Sequence, residues 1–302
     1  MHSPRSSPRI SWERVRSIFG SPPAPGTVTE RQFDGFDEDL GRMARTPWEE
    51  IEFSDLGYYH QDLAYVNLQP DLFAYLFPVC LMDWHASLLE NELCLHSDTD
   101  FLLGMHRGRI LEKMLTPDQR RQVCDFFRDG LMDRLDLERG FDCKGSHAPA
   151  HGWYHGMNAL GLVVPNLGAL WDEWWALSSP GSAVAWLEYA SGLMYAKGEN
   201  PLFGEWTREE GGGGPYLWED NSFIHDAGWL PENVSELQRR LTPETVTSLV
   251  LRAAKRLGGE AEEEMAKRVA ADLPTRMDRV RRRCLELPGL LARSELTLGW
   301  SD

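Results

Sequence analysis

Residues 68–78 read LQPDLFAYLFP and residues 115–119 read LTPDQ, and these two stretches decide the fold that the sequence predicts. In the first stretch, apolar and aromatic side chains lead up to Pro78, which predicts a helix that ends or kinks at this proline. In the second, Thr116 and Pro117 form a helix cap and a favoured first-turn residue. Apolar side chains then recur every three or four residues, which predicts an amphipathic helix. They are Val123, Phe126, Phe127, Leu131 and Leu135.

The remaining sequence predicts a mainly α protein made of two packed helical domains or halves. Residues 1–29 are predicted to form an N-terminal tail and a short helical arm that is capped by Ser11. Residues 30–140 are predicted to form the first helical domain and residues 141–302 a second, Trp-rich one. The boundary is expected in a stretch rich in Gly, His and Pro, residues 138–158.

The second domain is predicted to contain a fully buried helix over residues 182–196, which are apolar on nearly every side. A long irregular connection, rich in glycine and aromatic residues, follows over residues 199–230. The prolines and glycines after it predict three closing helices. These span residues 243–257, 260–273 and 275–287, and the last two end at Pro274 and Pro288.

The charge of the chain limits its partners. With 31 basic and 47 acidic residues, the formal net charge is −16, which argues against nucleic acid as a partner. Residues 30–71 hold eleven of the acids and three arginines. This segment is interpreted as a docking surface for a basic protein partner, with a solvated acidic face as the alternative.

Cysteine usage and hydropathy predict a compartment. The five cysteines are odd in number and widely spaced, which is typical of free thiols in a reducing cytoplasm. The N-terminal residues show no apolar region of a signal peptide. No apolar run reaches the about 20 residues of a spanning helix. The sequence therefore predicts a cytoplasmic protein without a membrane as its partner.

The first half resembles a bacterial family of uncharacterised proteins, a domain of unknown function, over residues 46–137. The resemblance rests on a Trp before an acidic-apolar helix, on a Pro-x-x-Phe-x-Tyr segment ending in Pro, and on Leu-Thr-Pro-x-Gln. Here these motifs begin at Trp48, Pro70 and Leu115. The family more often has Tyr-Leu-Pro where this chain has Leu-Phe-Pro at residues 76–78. The resemblance implies a small, mostly helical domain and no activity.

Four residues of metal-binding type recur at every fourth position in the boundary stretch: Cys143, His147, His151 and His155. All four side chains suit zinc. Glycines and a proline interrupt this stretch, so a single helical stripe of ligands is not expected. The alternative to a zinc site is a polar hinge whose histidines form hydrogen bonds or face water, and we expect no cofactor.

A hydrolase is the second functional interpretation. Acidic residues near a histidine can act as general acid and base, and burial would raise the pKa of such a carboxyl. The candidates lie near residues 143–155 or 199–230, together with Glu188 on the predicted buried helix. The sequence contains no nucleophile elbow, zinc-protease motif or phosphate loop. A metal-assisted or carboxylate-based hydrolase is therefore the alternative, and an enzyme is not the preferred interpretation.

Aromatic residues of the irregular connection form a third candidate site, because Tyr and Trp are enriched at the energetic centres of interfaces. The candidate partner-binding residues are Trp206, Tyr216, Trp218 and Trp229. The alternative is that these rings close the core. The preferred function is a non-catalytic, acidic protein-interaction protein of the bacterial cytoplasm, immunity-like or regulatory. The sequence specifies neither the partner's identity nor an oligomeric state.

Overall fold

The computed structural model describes residues 9–90, 97–141, 157, 159–196, 199–202 and 228–292. Helix is the only regular secondary structure in these ranges, so the prediction of a mainly α protein is confirmed. The chain divides into two compact units, Met1–Asp133 and Arg134–Asp302. Each unit is described by itself.

The first unit is built from helices of different lengths. They are α1 (Trp12–Phe19), α2 (Asp37–Met43), α3 (Gly57–Tyr65), α4 (Pro70–Glu90), α5 (Ser97–Gly108), α6 (Ile110–Lys113) and α7 (Pro117–Leu137), whose last turn belongs to the second unit. Two short 3-10 turns, Trp48–Glu50 and Phe53–Leu56, precede α3.

Local caps start α1 and α7 where the sequence predicted them. The Ser11 hydroxyl accepts a hydrogen bond from the Arg14 amide at 3.3 Å. The Thr116 hydroxyl accepts from the Gln119 amide at 3.3 Å, and the Gln119 side chain accepts from the Thr116 amide at 3.1 Å. This reciprocal pair satisfies two amides that the first turn of α7 leaves without helical partners.

Helix α4 is the core helix of the first unit, and it runs through Pro78 without ending. Of the two outcomes predicted at this proline, an end or a kink, the end is wrong. Leu76, Phe77, Val79 and Cys80 around it are all completely buried. A proline costs a helix interior about 3 kcal/mol, and burial of these side chains, at about 1.5–3 kcal/mol for each large one, outweighs that cost.

The composition of α4 also bears on membranes. Residues Pro70–Leu89 are long and apolar enough to cross a membrane by length and composition alone, with a mean hydropathy of 1.4 in their most apolar window. The prediction that no apolar run reaches this length is therefore wrong. Of that window, 72% is buried inside the fold, as in the core helix of a globular protein.

The described residues of the second unit contain five helices of eight residues or more. They are α8 (Gly168–Trp175), α9 (Pro180–Met194), α10 (Pro231–Arg240), α11 (Pro243–Arg256) and α12 (Glu263–Leu291). Residues 159–163 are also helical.

Helix α9 lies at the centre of the second unit. Every residue from Gly181 to Met194 is buried, and the helix contacts α11 and α12. Ser179 and Ser182 form a capping box at its start. The prediction of a fully buried helix is confirmed, with the helix both beginning and ending two residues earlier than predicted.

Helix α12 replaces the last two predicted helices. It continues through Pro274 and Pro288, so the prediction that helices end at these prolines is wrong. One buried stripe extends along its whole length, from Ala266 through Val280 to Leu291. Because that stripe packs as a single face, tertiary contacts outweigh the local cost of the prolines.

Candidate functional site

Most of the predicted site residues lie outside the described part of the chain. This applies to the metal candidates Cys143, His147, His151 and His155, and to the aromatic candidates Trp206, Tyr216 and Trp218. Within the described residues, no group of three or more His, Cys, Asp or Glu side chains could hold a metal ion. The zinc site and the hydrolase site therefore stay predictions.

Trp229 is the one aromatic candidate in a described range, and it is buried. Its exposed fraction is 6%, and its ring stacks on Trp171 with 6.4 Å between centroids. A Cβ atom added at Gly161 would come within 2.6 Å of the indole. These contacts give Trp229 a packing role inside the second unit.

Glu188 is completely buried in the middle of α9. Near the end of this helix, the buried Arg283 donates hydrogen bonds to the Gly192 carbonyl and, at 2.6 Å, to the Tyr195 carbonyl. These bonds satisfy carbonyls that the last turn of a helix leaves without helical partners.

Two buried histidine–aspartate pairs lie in the first unit, and no local sequence pattern predicts either of them. His60 Nε2 is 3.5 Å from an Asp83 carboxylate oxygen, and His85 Nε2 is 3.3 Å from one of Asp133. Burial lowers the pKa of His60 to about 4. A neutral imidazole is therefore the form of His60 near pH 7.

The second of these pairs anchors the N-terminal arm. Asp133 accepts hydrogen bonds from the Arg9 amide at 2.8 Å and from the Ile10 amide at 3.3 Å. Burial favours the neutral acid, but the hydrogen bonds from His85 and Arg9 outweigh it and lower the pKa of Asp133. Its carboxylate is thus engaged by backbone and side-chain donors, which is typical of a structural anchor.

Four aromatic side chains form a partly exposed patch on the first unit. Phe33 stacks on Tyr65 at 4.8 Å between centroids, and Phe36 stacks on Tyr58 at 3.6 Å. Phe33 is 60% exposed, Tyr65 53% and Tyr58 39%. Large apolar side chains at such exposure need an explanation when they cluster.

Carboxylates accompany these rings. Asp34 and Glu38 are exposed within the same segment as Phe33 and Phe36, and Asp37 pairs with Arg31 at 3.0 Å. Of the eleven acids between residues 30 and 71, all except Glu30 and Asp62 are exposed or half-exposed, against three arginines. We call the four rings and the carboxylates of residues 34–39 the acidic–aromatic surface.

The acidic character of this segment is evident in the sequence, whereas the role of its aromatic residues is not. Tyr58 and Tyr65 are seven residues apart on α3, and Phe33 and Phe36 flank Asp34 in FDGF. Helical spacing could have placed the two tyrosines on one face. Their stacking on Phe33 and Phe36 joins residues 22 to 32 positions apart, which no local pattern indicates.

A buried polar cluster lies in the same segment. It consists of Glu30, Gln32, Tyr59 and Asp62, whose exposed fractions are 5%, 6%, 0% and 0%; we call it the Glu30–Asp62 cluster. Glu30 accepts a hydrogen bond from the Gln69 amide at 2.5 Å. Asp62 accepts one from the Phe33 amide at 3.0 Å.

Burial is the main influence on both acids. It raises the pKa of Glu30 to about 7, against the hydrogen bond from Gln69. It raises the pKa of Asp62 to about 6, against the Phe33 amide and the Gln32 carboxamide.

Gln69 tethers the start of this segment to α4. Its side-chain oxygen accepts from the Thr29 amide at 2.7 Å and from the Glu30 amide at 3.3 Å. Its side-chain nitrogen donates to the Thr27 carbonyl at 2.8 Å. Residues 27–33 are thus held by polar contacts from the beginning of α4 and from α3.

The second unit has an open groove between α8 and α11. Its volume is about 530 Å³, and Trp171, Trp175 and Leu249 are among its apolar lining residues. Asp172 and Arg252 are among the polar ones. Arg252 donates to the Ala176 carbonyl at 2.9 Å. This arrangement could accept an apolar side chain, but nothing in it selects a ligand class.

Comparison with known protein families, with curated proteins and with solved structures found no match. The resemblance of residues 46–137 to an uncharacterised bacterial family stays a prediction.

Proposed function

We propose that this protein is a non-catalytic interaction protein whose acidic–aromatic surface binds a basic segment of a protein partner. The observation that carries the proposal is the pair of stacked, exposed rings, Phe33 on Tyr65, within the acidic stretch of residues 30–71. Lys and Arg side chains gain both from carboxylates and from aromatic faces.

The surface chemistry favours arginine-rich partners. Aromatic residues are enriched where interfaces gain most of their energy, and matched charges speed association and suppress partners of the wrong sign. The net charge of −16 supports a basic partner and speaks against nucleic acid. Cys80, Cys124 and Cys284 are buried free thiols, which suits the reducing bacterial cytoplasm. There we propose a regulatory or immunity-like role.

Binding of a labelled peptide tests this proposal. A decapeptide of alternating Arg and Ser is titrated with the full-length protein and followed by fluorescence anisotropy; a peptide of alternating Glu and Ser is the charge control. We expect saturable binding of the Arg peptide only, weakened by added salt because exposed charges are screened. The double variant Phe33→Ala, Tyr65→Ala should weaken binding at least tenfold, because removing ring contacts at such centres costs more than about 1.4 kcal/mol.

Leu285→Ala is the matched control. Leu285 is 83% exposed and belongs to the second unit. Its replacement by alanine therefore also shortens an exposed apolar side chain, but outside the acidic–aromatic surface. It should leave the affinity unchanged. Equal weakening by both variants, or equal binding of both peptides, would contradict the proposal.

A further inference from the structure

We propose that Glu30 and Asp62 form a proton-dependent latch, which holds the acidic–aromatic surface in its binding form and releases it when both carboxyls lose their protons. The inference rests on the proposed function for its biological meaning. The latch itself can be measured without any partner.

The members of the Glu30–Asp62 cluster converge because of local geometry. Glu30 and Gln32 are buried while Arg31 and Phe33 are exposed, so the extended segment points alternate side chains inward. Tyr59 and Asp62 are three residues apart and lie on one face of α3. The hydrogen bond from the Phe33 amide to Asp62 brings the segment onto that face.

Each carboxyl uses one oxygen for a backbone amide and leaves its other oxygen buried. Glu30 Oε2 accepts from Gln69 and Asp62 Oδ1 accepts from Phe33. Glu30 Oε1 and Asp62 Oδ2 have no hydrogen-bond partner within the described ranges, and neither does the Tyr59 hydroxyl. A buried charge without a partner is costly, whereas a protonated carboxyl is neutral and becomes a donor.

The surrounding charges add to this cost. The titratable groups whose charges raise the pKa values within the cluster are acids. Asp62 raises the pKa of Glu30, and both Glu30 and Asp62 raise the pKa of Tyr59. Beyond the cluster these groups are Asp34 and Asp37 from the segment and α2, and Cys80 from α4. Arg31 pairs with Asp37 at the exposed side. Ionisation therefore puts negative charge into a site that already repels it.

The direction of the pH effect follows from the raised pKa values. An acid whose pKa is higher in the folded than in the unfolded state stabilises the fold at low pH. For Glu30 that stabilisation declines from about pH 4.5, its ordinary value, to about pH 7. Above that pH the charged carboxyls favour any arrangement that brings water to them. The Phe33 amide is hydrogen-bonded to Asp62, so the movement that solvates the cluster also frees Phe33 from Tyr65.

Amide hydrogen exchange of residues 28–37 in the full-length protein tests the latch. Protection factors, corrected for the intrinsic pH dependence of exchange, are compared at pH 5, 6, 7 and 8. In the unmodified protein, protection should fall between pH 5 and 7 by up to about tenfold per pH unit for each proton released, and it should level off above pH 7. Glu30→Gln should reduce this pH dependence. The side-chain oxygen of the new glutamine can still accept a hydrogen bond from the Gln69 backbone amide, but its carboxamide does not ionise. Asp62→Asn should likewise reduce the pH dependence of protection, because it removes the other ionisable carboxyl of the cluster.

Glu50→Gln is the matched control, since Glu50 is exposed and one charge is removed from the same acidic stretch, residues 30–71, outside the cluster and the acidic–aromatic surface. It should retain the pH dependence of the unmodified protein. Protection that stays constant from pH 5 to 7, or an equal slope in the protein and in both cluster variants, overturns the latch.

Peptide binding separates the latch from the proposed function. The Arg peptide should bind more weakly at pH 8 than at pH 5, and Glu30→Gln should reduce the difference. Equal affinity at both pH values contradicts the link between latch and surface. A pH-dependent protection without peptide binding at any pH contradicts the proposed function alone.

Discussion

Single residues set the closest approach between helices in the first unit. Gly104 and Gly108 lie on α5 where it packs against α3. A Cβ atom at Gly108 would be 1.9 Å from the Leu63 carbonyl oxygen, and one at Gly104 would be 2.5 Å from that of His60. These glycines, four residues apart, let the backbone of α3 approach α5 directly.

Gly108→Ala should therefore destabilise the protein. The added methyl group meets backbone, which cannot rotate away, so the helices must separate at a cost of about 1–3 kcal/mol or more. Urea unfolding measures the loss. Gly289→Ala is the control: Gly289 is inside α12 with nothing within 4 Å of an added Cβ. There alanine should stabilise by about 0.5–1 kcal/mol through helix propensity. A Gly108→Ala protein as stable as the unmodified one would contradict the close approach.

At the scale of the element, helix caps act where the sequence predicts them, whereas prolines inside helices do not. The caps at Ser11, Thr116 and Thr242 start helices where the sequence predicts them, because a cap satisfies amides within its own first turn. The prolines do not end α4 or α12. A proline removes one helical hydrogen bond, while an apolar face along a long helix gains from every turn that packs.

Pro274→Ala should stabilise the protein. Pro274 is exposed within α12, so alanine restores a helical hydrogen bond and removes a clash with the preceding turn without loss of packing. We expect a gain of about 1–3 kcal/mol in the free energy of unfolding. Pro243→Ala is the control, because Pro243 occupies the first turn of α11, where proline is favourable. An increase in the unfolding midpoint for Pro243→Ala equal to that for Pro274→Ala would contradict the interpretation that Pro274 destabilises the interior of α12.

At the scale of the whole molecule, contacts between distant segments determine how the helices pack. Asn233 on α10 is completely buried. Its side-chain oxygen accepts from the Leu167 amide at 2.9 Å. Its nitrogen donates to the carbonyls of Val164 and Gly161 at 2.6 and 3.1 Å. One carboxamide thus joins the start of α10 to a chain segment about seventy residues earlier.

Asn233→Ala should be among the most damaging single substitutions in the second unit. It leaves one amide and two carbonyls of the backbone buried without this partner, at about 1–3 kcal/mol for each group that water cannot reach. Thermal unfolding should show a strongly lowered midpoint. The neighbouring Glu232 is exposed, so Glu232→Ala should change stability by less than about 0.5 kcal/mol. Similar midpoints for the two variants would contradict the role of Asn233.

The sequence by itself determined that the protein is mainly helical, where several helices begin, that α9 is buried and that residues 30–71 are acidic. Each of these depends on side chains within one or two helical turns, or on composition alone. Only the tertiary structure decided that Pro78 and Pro274 lie inside continuous helices, that Glu30 and Asp62 are buried, and that Phe33 stacks on Tyr65. These features depend on contacts between residues far apart in the chain, whose free energy exceeds the local preferences that a sequence pattern records.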